Sequence, residues 1–229
     1  MHIGVIGSGK QAKRYLDPRN GLGVCYGGEL DCELPSHVAD GAVMASHPHD
    51  HHFMTAALLI GGMPVLVEKP LATTAADCFD LIMKSRVHAT YLMVAHTLLF
   101  SRRFAEIQEL AKSAKHVAVD IGGPRPAGHD YSALLDWGPH AYSVGVALNA
   151  QRINFGDYPE RRAVVILDGV EHSLDTRGEE NPTPMATQMR VFLDLIGGKP
   201  DWRAEPEFTL RVYESLFGSG AESMRAAIS

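Results

Sequence analysis

Lys69, Asp136 and His140 are the residues whose types and placement could move a proton at a hydroxyl group. A lysine ammonium can hydrogen-bond a substrate oxygen and favour negative charge on it. An imidazole titrates near neutral pH and can accept the hydroxyl proton. Asp136 and His140 are four residues apart, which places them on one face of a helix. There the carboxylate could orient the ring or bind substrate. Lys69 lies in Glu68-Lys69-Pro70, directly after the apolar run Val65-Leu66-Val67. Proline stops a strand and fixes the local backbone, so Lys69 is aimed from the sheet edge toward a cleft. Plainer readings stand beside these. Lys69 could be a surface lysine in a turn. Asp136 could be a helix N-cap, because Pro139 is tolerated only in a first turn.

A second motif stands at the start of the chain. Gly7-Ser8-Gly9-Lys10-Gln11-Ala12 follows the apolar run at residues 2–6, HIGVI. In a strand–turn–helix context this is a dinucleotide-binding turn. Gly7 allows the tight exit from the strand, and Gly9 removes a side chain where backbone must approach a pyrophosphate. Ala12 lets helix and sheet pack closely, and the helix start offers free N–H groups to phosphate. An acid about 20 residues further on commonly holds the adenosine ribose. Glu29 and Asp31 are near that distance, and either could equally be a solvated loop carboxylate. His47-Pro48-His49-Asp50-His51-His52 is the densest polar cluster. It suits a loop that leaves a strand and enters a helix with Asp50 as N-cap. It lacks a fixed ligand spacing such as HExxH, so no metal site is expected.

The elements that must position these groups are read from periodicity. Strands are expected at residues 2–6, 23–27, 41–46, 64–67 and 91–95, and helices at 8–16, 50–60 and from Thr73 or Thr74 to about 86. Strands alternating with helices imply a doubly wound parallel sheet. After residues 96–101 the pattern changes. Ser101 caps an amphipathic helix carrying Phe104, Ile107, Leu110, Ala111 and Ala114. A strand at 116–121, a loop at 122–126 and a helix at 136–148 follow. Runs at 162–167 and 170–176 flank Asp168-Gly169, a primed hairpin turn. Thr183-Pro184 opens a further helix with Met185, Met189, Phe192 and Ile196 on one face. A last helix covers 208–217. The reading is two domains, 1–98 and 99–229, the second α+β with a reduced antiparallel sheet. The C-terminal helices are free to pack back on the first domain.

Composition narrows the classes. The chain has 229 residues, 45% hydrophobic and 21% charged, as expected of a globular protein. A net charge of -6 argues against a nucleic-acid surface. No apolar run is long enough to span a bilayer, and residues 1–4 lack the basic start of a signal peptide. Cys25, Cys32 and Cys78 show no paired spacing and read as free thiols in a reducing cytoplasm.

Taken together, these motifs resemble the Gfo/Idh/MocA family of glucose–fructose oxidoreductase and inositol dehydrogenase relatives. The resemblance rests on residues 7–12, on Ser46-His47-Pro48 with His52 beyond, and on the run at 63–72 (MPVLVEKPLA). Asp136-Trp137-Gly138-Pro139-His140 matches the family's DxGxH segment, and 189–215 resembles its closing helices more loosely. The resemblance implies a Rossmann domain, a second α/β domain and NAD or NADP as cofactor. It implies hydride transfer at a hydroxyl or keto carbon of a sugar-like or nucleotide-sugar substrate. It places Lys69, Asp136 and His140 on catalytic positions. It puts Gly7, Ser8, Gly9, Lys10, Gln11, Ala12, Ser46, His47, Pro48, His52, Glu68 and Lys69 around the cofactor. A homodimer through the second-domain sheet is also implied. The chain departs from the family in two ways. Only residues 17–39 separate Leu16 from Asp40, leaving little room for a second helix. The second domain also has few strands. Two alternatives stand beside this reading, the first motivated by the short stretch at 17–39. One is a relative with weak or lost cofactor binding that binds a sugar or a protein partner. The other is a redox-neutral enzyme that uses NAD to cleave a sugar linkage.

Overall fold

The computed structural model describes residues 1–17, 25–28, 39–125, 131–175 and 182–218. Glu29 and Asp31, the two acids near the ribose distance, lie outside the described residues, as does Cys32. In chain order the first elements are β1 (Ile3–Ile6), α1 (Lys10–Leu16), β2 (Cys25–Gly28), β3 (Gly41–Met44), α2 (Pro48–Ile60), β4 (Val65–Val67), α3 (Ala75–Val87) and β5 (Leu92–Val94). Then come α4 (Arg102–Ala111), β6 (Val117–Gly123), α5 (Ala133–Asp136), α6 (Gly138–Leu148), β7 (Arg152–Asp157), β8 (Arg162–Leu167), β9 (Val170–Ser173), α7 (Pro184–Ile196) and α8 (Pro206–Phe217). Among the described residues no helix is long and apolar enough to cross a membrane.

The chain divides into two compact units, Met1–Ala95 with Asn181–Leu210, and His96–Glu180 with Arg211–Ser229. The first holds a five-stranded parallel sheet in the order β2-β1-β3-β4-β5. Every residue of β1, β3, β4 and β5 is buried. A parallel sheet covered on both faces needs such unbroken apolar runs, which is why IGVI, GAVM, VLV and LMV carry no alternation. Two of this unit's helices begin where a side chain satisfies one of the first free N–H groups. Thr74 accepts from Asp77 N at 3.1 Å to start α3, and Thr183 accepts from Ala186 N at 3.1 Å to start α7. Met185, Met189, Phe192 and Leu195 form the buried face of α7. That face lies on the start of β3: a Cβ built on Gly41 would stand 2.8 Å from Ile196 Cδ1 and 3.3 Å from Phe192.

The helix α2 starts two residues earlier than the sequence predicts. Pro48 takes its first position and His47 stands as N-cap without a side-chain bond, so Asp50 is inside the helix, its N–H on His47 O at 2.8 Å. The locked φ of proline suits the first helical position and sets this start.

The second unit holds a four-stranded sheet in the order β7-β6-β8-β9. The hairpin β8–β9 is antiparallel and turns at Asp168 and Gly169, with φ of 48° and 89°, as the primed turn requires. The β6–β7 pair is parallel, so the sheet is mixed. The sequence reading missed β7, whose residues are all half-buried or exposed and form no apolar run. It also ended β6 too early. Gly122 and Gly123 continue the strand because β7 pairs with them, and a Cβ on Gly122 would meet Gly156 O at 2.2 Å. Ser101 caps α4 by accepting from Phe104 N at 3.0 Å. Phe104 and Ile107 are buried, whereas Leu110, expected on the same face, is 52% exposed.

The helix expected over 136–148 is two helices. Pro139 has no N–H to give and fits only a first turn, so α6 starts at Gly138. Asp136 therefore ends the short α5 and is not the N-cap of α6, a place held by Trp137.

Candidate functional site

The glycine turn joins β1 to α1 at the point where the strand order of the first sheet reverses. From β1, the chain's next strand β2 lies on one side and β3 on the other. In open parallel sheets the crevice outside the carboxyl ends of such a strand pair is where ligands sit. Gly7 has φ 132°, and a Cβ there would come within 2.3 Å of Ala45 O and 2.9 Å of Ser46 N. Backbone thus meets backbone across the two strand ends, which only glycine permits. Gly9 differs: a Cβ built on it meets nothing within 4 Å. Its missing side chain relieves no internal clash and leaves open space at the mouth of the turn. Gly9 is the N-cap of α1 with no side-chain bond to the helix start, and Ser8, Gly9 and Lys10 are exposed. Such a cradle fits the pyrophosphate of a dinucleotide, whose oxygens accept from backbone N–H groups.

Behind the turn lies a buried polar network. Glu68 is 5% exposed, and its Oε1 accepts from Tyr15 OH at 2.7 Å and from Gln11 Nε2 at 2.9 Å. Its Oε2 accepts from Lys69 N at 3.2 Å. Tyr15 OH accepts in turn from Gln188 Nε2 on α7 at 3.1 Å. Burial pushes the Glu68 carboxyl above its ordinary range, against the pull of these donors. Burial, joined by the charge of Glu68, also pushes the Tyr15 phenol up. The network ties α1, α7 and the end of β4 into one body. Gln11 and Glu68, both expected near the cofactor, are bonded to each other. Lys69 is half-buried and precedes a cis peptide to Pro70.

The histidine cluster separates into distinct places. His47 and His49 are exposed at the start of α2, with rings stacked at 5.1 Å between centroids. His51 is fully buried. His52 turns to α3, its Nε2 2.7 Å from Asp80 Oδ2. Burial raises the Asp80 pKa, but bonds from Lys84 and His52 outweigh it and hold the carboxyl below its ordinary range. Among the described residues no group of three or more His, Cys, Asp or Glu side chains is placed to hold a metal ion.

Asp136 and His140 belong to the second unit. His140 lies in the first turn of α6, and its main-chain carbonyl accepts from Ser143 Oγ at 3.0 Å. Arg125, a residue the sequence reading passed over as part of a loop, holds this region together. It bonds the Asp157 carboxylate through Nε at 2.5 Å and Nη2 at 2.6 Å, and the Tyr131 carbonyl just before α5. The bond to Asp157 is the first cause of its raised pKa, and the charge of Asp136 adds to it.

Sequence reasoning also missed Tyr15, Gln188 and His51. Each has a legible signal. Tyr15 shares the buried face of α1 with Ala12, and Gln188 sits among the buried Met185, Met189 and Phe192. His51 stands at the spacing of Thr55 and Leu59, the buried stripe of α2, whereas His52 lies off that stripe.

The first unit is by these features a Rossmann-type domain. Residues 28–96 match the Gfo/Idh/MocA oxidoreductase family, NAD-binding Rossmann fold. That match takes in β3, β4, β5 and the turn at Glu68-Lys69-Pro70. Inositol 2-dehydrogenase 1 of Saccharopolyspora erythraea is 49% identical over 43 residues, which span 19% of this chain and 13% of that protein. UDP-N-acetylglucosamine 3-dehydrogenase from Acidithiobacillus ferrooxidans has the same fold, with a TM-score of 0.74 at 12% identity over 94% of this chain and 95% of that one. GenD2 from gentamicin A biosynthesis, solved in complex with NAD, has a TM-score of 0.74 at 14% identity over 99% of this chain and 95% of that one. The cofactor of the matched family is NAD.

Proposed function

We propose that the chain is an NAD(P)-dependent oxidoreductase acting on a hydroxyl or keto carbon of a sugar-like or nucleotide-sugar substrate. The observation that carries this reading is the pair of glycines at the strand-order reversal. Gly7 is required by the fold, while Gly9 is required only if something outside the chain approaches its backbone. The structures similar to it support the substrate class, since one is of a nucleotide-sugar dehydrogenase.

When bound, the nicotinamide dinucleotide supplies a hydride acceptor or donor. The residues from Gly7 to Ala12 would cradle its pyrophosphate, with Ser46 and His47 at the neighbouring strand end. Lys69 hydrogen-bonds the substrate oxygen and stabilises the negative charge that grows there. His140 exchanges the hydroxyl proton, and Asp136 orients the ring. Glu68 holds the main chain of Lys69 and keeps the amine's turn anchored to α1.

The experiment is a survey of sugars, inositols and nucleotide-linked sugars with NAD and NADP, read at the absorbance of the reduced nicotinamide. The chain should oxidise a member of this set, and Lys69→Met and His140→Asn should each lower the rate by about 100-fold or more. A dehydrogenase activity that persists at the original rate in both variants would remove those two roles.

A further inference from the structure

His51 lies on the inner face of α2 with no exposed surface, and its ring stands between two main-chain carbonyls. Nδ1 is 2.8 Å from Pro70 O and Nε2 is 3.3 Å from Ser46 O. Ser46 follows β3 and Pro70 follows β4, so a single ring spans the carboxyl ends of two neighbouring strands. Carbonyl oxygens only accept, and a neutral imidazole carries one N–H. The shorter contact takes it, so Nδ1–H donates to Pro70 O. Burial lowers the His51 pKa against the two carbonyls and Asp50, with His47 adding a small push in the same direction as burial, and the ring is held neutral.

Pro70 is the residue after Lys69. On the other side of Lys69, Glu68 is held by Gln11 and Tyr15 of α1. The turn that carries the amine is therefore fixed from both flanks, by α1 before it and by α2 after it. A leucine at 51 would fill the same space without a donor. What histidine adds is a directional bond to the peptide next to Lys69.

We propose that His51 is a positioning residue for the Lys69 amine, acting through the Pro70 carbonyl to fix the turn against α2. This rests on Lys69 being the amine of the proposed site. The test reads the surroundings of that amine without substrate, so the two can fail separately.

The test is competitive acetylation of the full chain with acetic anhydride, with the modified fraction of each lysine measured by mass spectrometry. Lys112 and Lys199 serve as internal references, both being exposed and paired only with neighbours on their own segments. In His51→Leu the Lys69 rate should change by about threefold or more relative to the references, because the turn that carries its amine loses one of its two anchors. In His51→Gln, whose amide can still donate to Pro70 O, it should stay within about twofold of the parent. An unchanged Lys69 in His51→Leu overturns the proposal, as does an equal change in both variants, which would make the ring a space-filler. Nitrogen and carbon NMR of labelled histidine in the unsubstituted chain decides the matter if His51→Leu does not fold. His51 should show the neutral Nδ1–H tautomer, and the Nε2–H tautomer contradicts the assignment.

Discussion

Tyr15 donates its hydroxyl hydrogen to Glu68 Oε1 across 2.7 Å, and this buried bond joins the helix after the glycine turn to the residue before Lys69. Tyr15 has no exposed surface, so the bond is made where water cannot substitute for either partner. Losing the hydroxyl takes one of two donors from Glu68 Oε1, which keeps Gln11, and takes one acceptor from Gln188 Nε2. Tyr15→Phe keeps the ring and its packing. It should lower unfolding free energy by about 0.5–1.5 kcal/mol in urea denaturation, the net contribution of a buried hydrogen bond. A change under a few tenths would mean that the network is solvated.

Glu68 also gives a pH prediction. Its folded pKa is raised above the ordinary value of 4.5, with burial the largest cause. Between those two values the folded chain binds the proton more tightly than the unfolded one. Stability contributed by Glu68 is then fully present below about 4.5 and falls as pH rises through the folded value. The difference in unfolding free energy between the parent and Glu68→Gln should shrink with rising pH across that window. A difference that grows instead would mean that the three donors outweigh burial.

Gly7 should not tolerate alanine. The added Cβ would stand 2.3 Å from a backbone oxygen, at a φ of 132° that side chains rarely adopt. Gly7→Ala should cost about 3 kcal/mol or more, or prevent folding, seen as a lowered urea midpoint.

Phe192 tests the place of α7. It is fully buried on the helix face that meets the start of β3. Phe192→Ala should cost about 3–5 kcal/mol, a typical price of an aromatic cavity, measured in the same unfolding assay. A loss below about 1 kcal/mol would place α7 outside the core.

Most of the fold was legible because its signals are local. The buried parallel strands are short unbroken apolar runs, the caps at Thr74, Ser101 and Thr183 precede their helices, and Asp168-Gly169 marks its hairpin. β7 was not legible, since a strand at the edge of a mixed sheet buries little and depends on β6 for its pairing. The break between α5 and α6 was half legible: Pro139 gave the start of α6, but nothing local announces the single turn that ends at Asp136. In the candidate site, the glycine turn and Glu68-Lys69-Pro70 were found from spacing. The supports of the site were not, because Tyr15–Glu68 and His51–Pro70 pair residues distant in sequence. In the histidine cluster the choice between His51 and His52 is one of helix face, which a motif match does not weigh.

The turn from Gly7 to Gly9 is proposed to hold a nicotinamide dinucleotide, and Gly9→Val tests this most directly. The built Cβ at Gly9 meets nothing within 4 Å and its φ of -73° suits any residue, so the variant should fold with a loss of about 1 kcal/mol at the N-cap. The parent chain should bind NADH or NADPH and gain about 2.7 kcal/mol of stability at one hundred times the dissociation constant. The folded variant should show no such gain at the same concentration. A Gly9→Val chain that binds the dinucleotide as tightly as the parent, or a parent that binds neither form at millimolar concentration, would contradict the account.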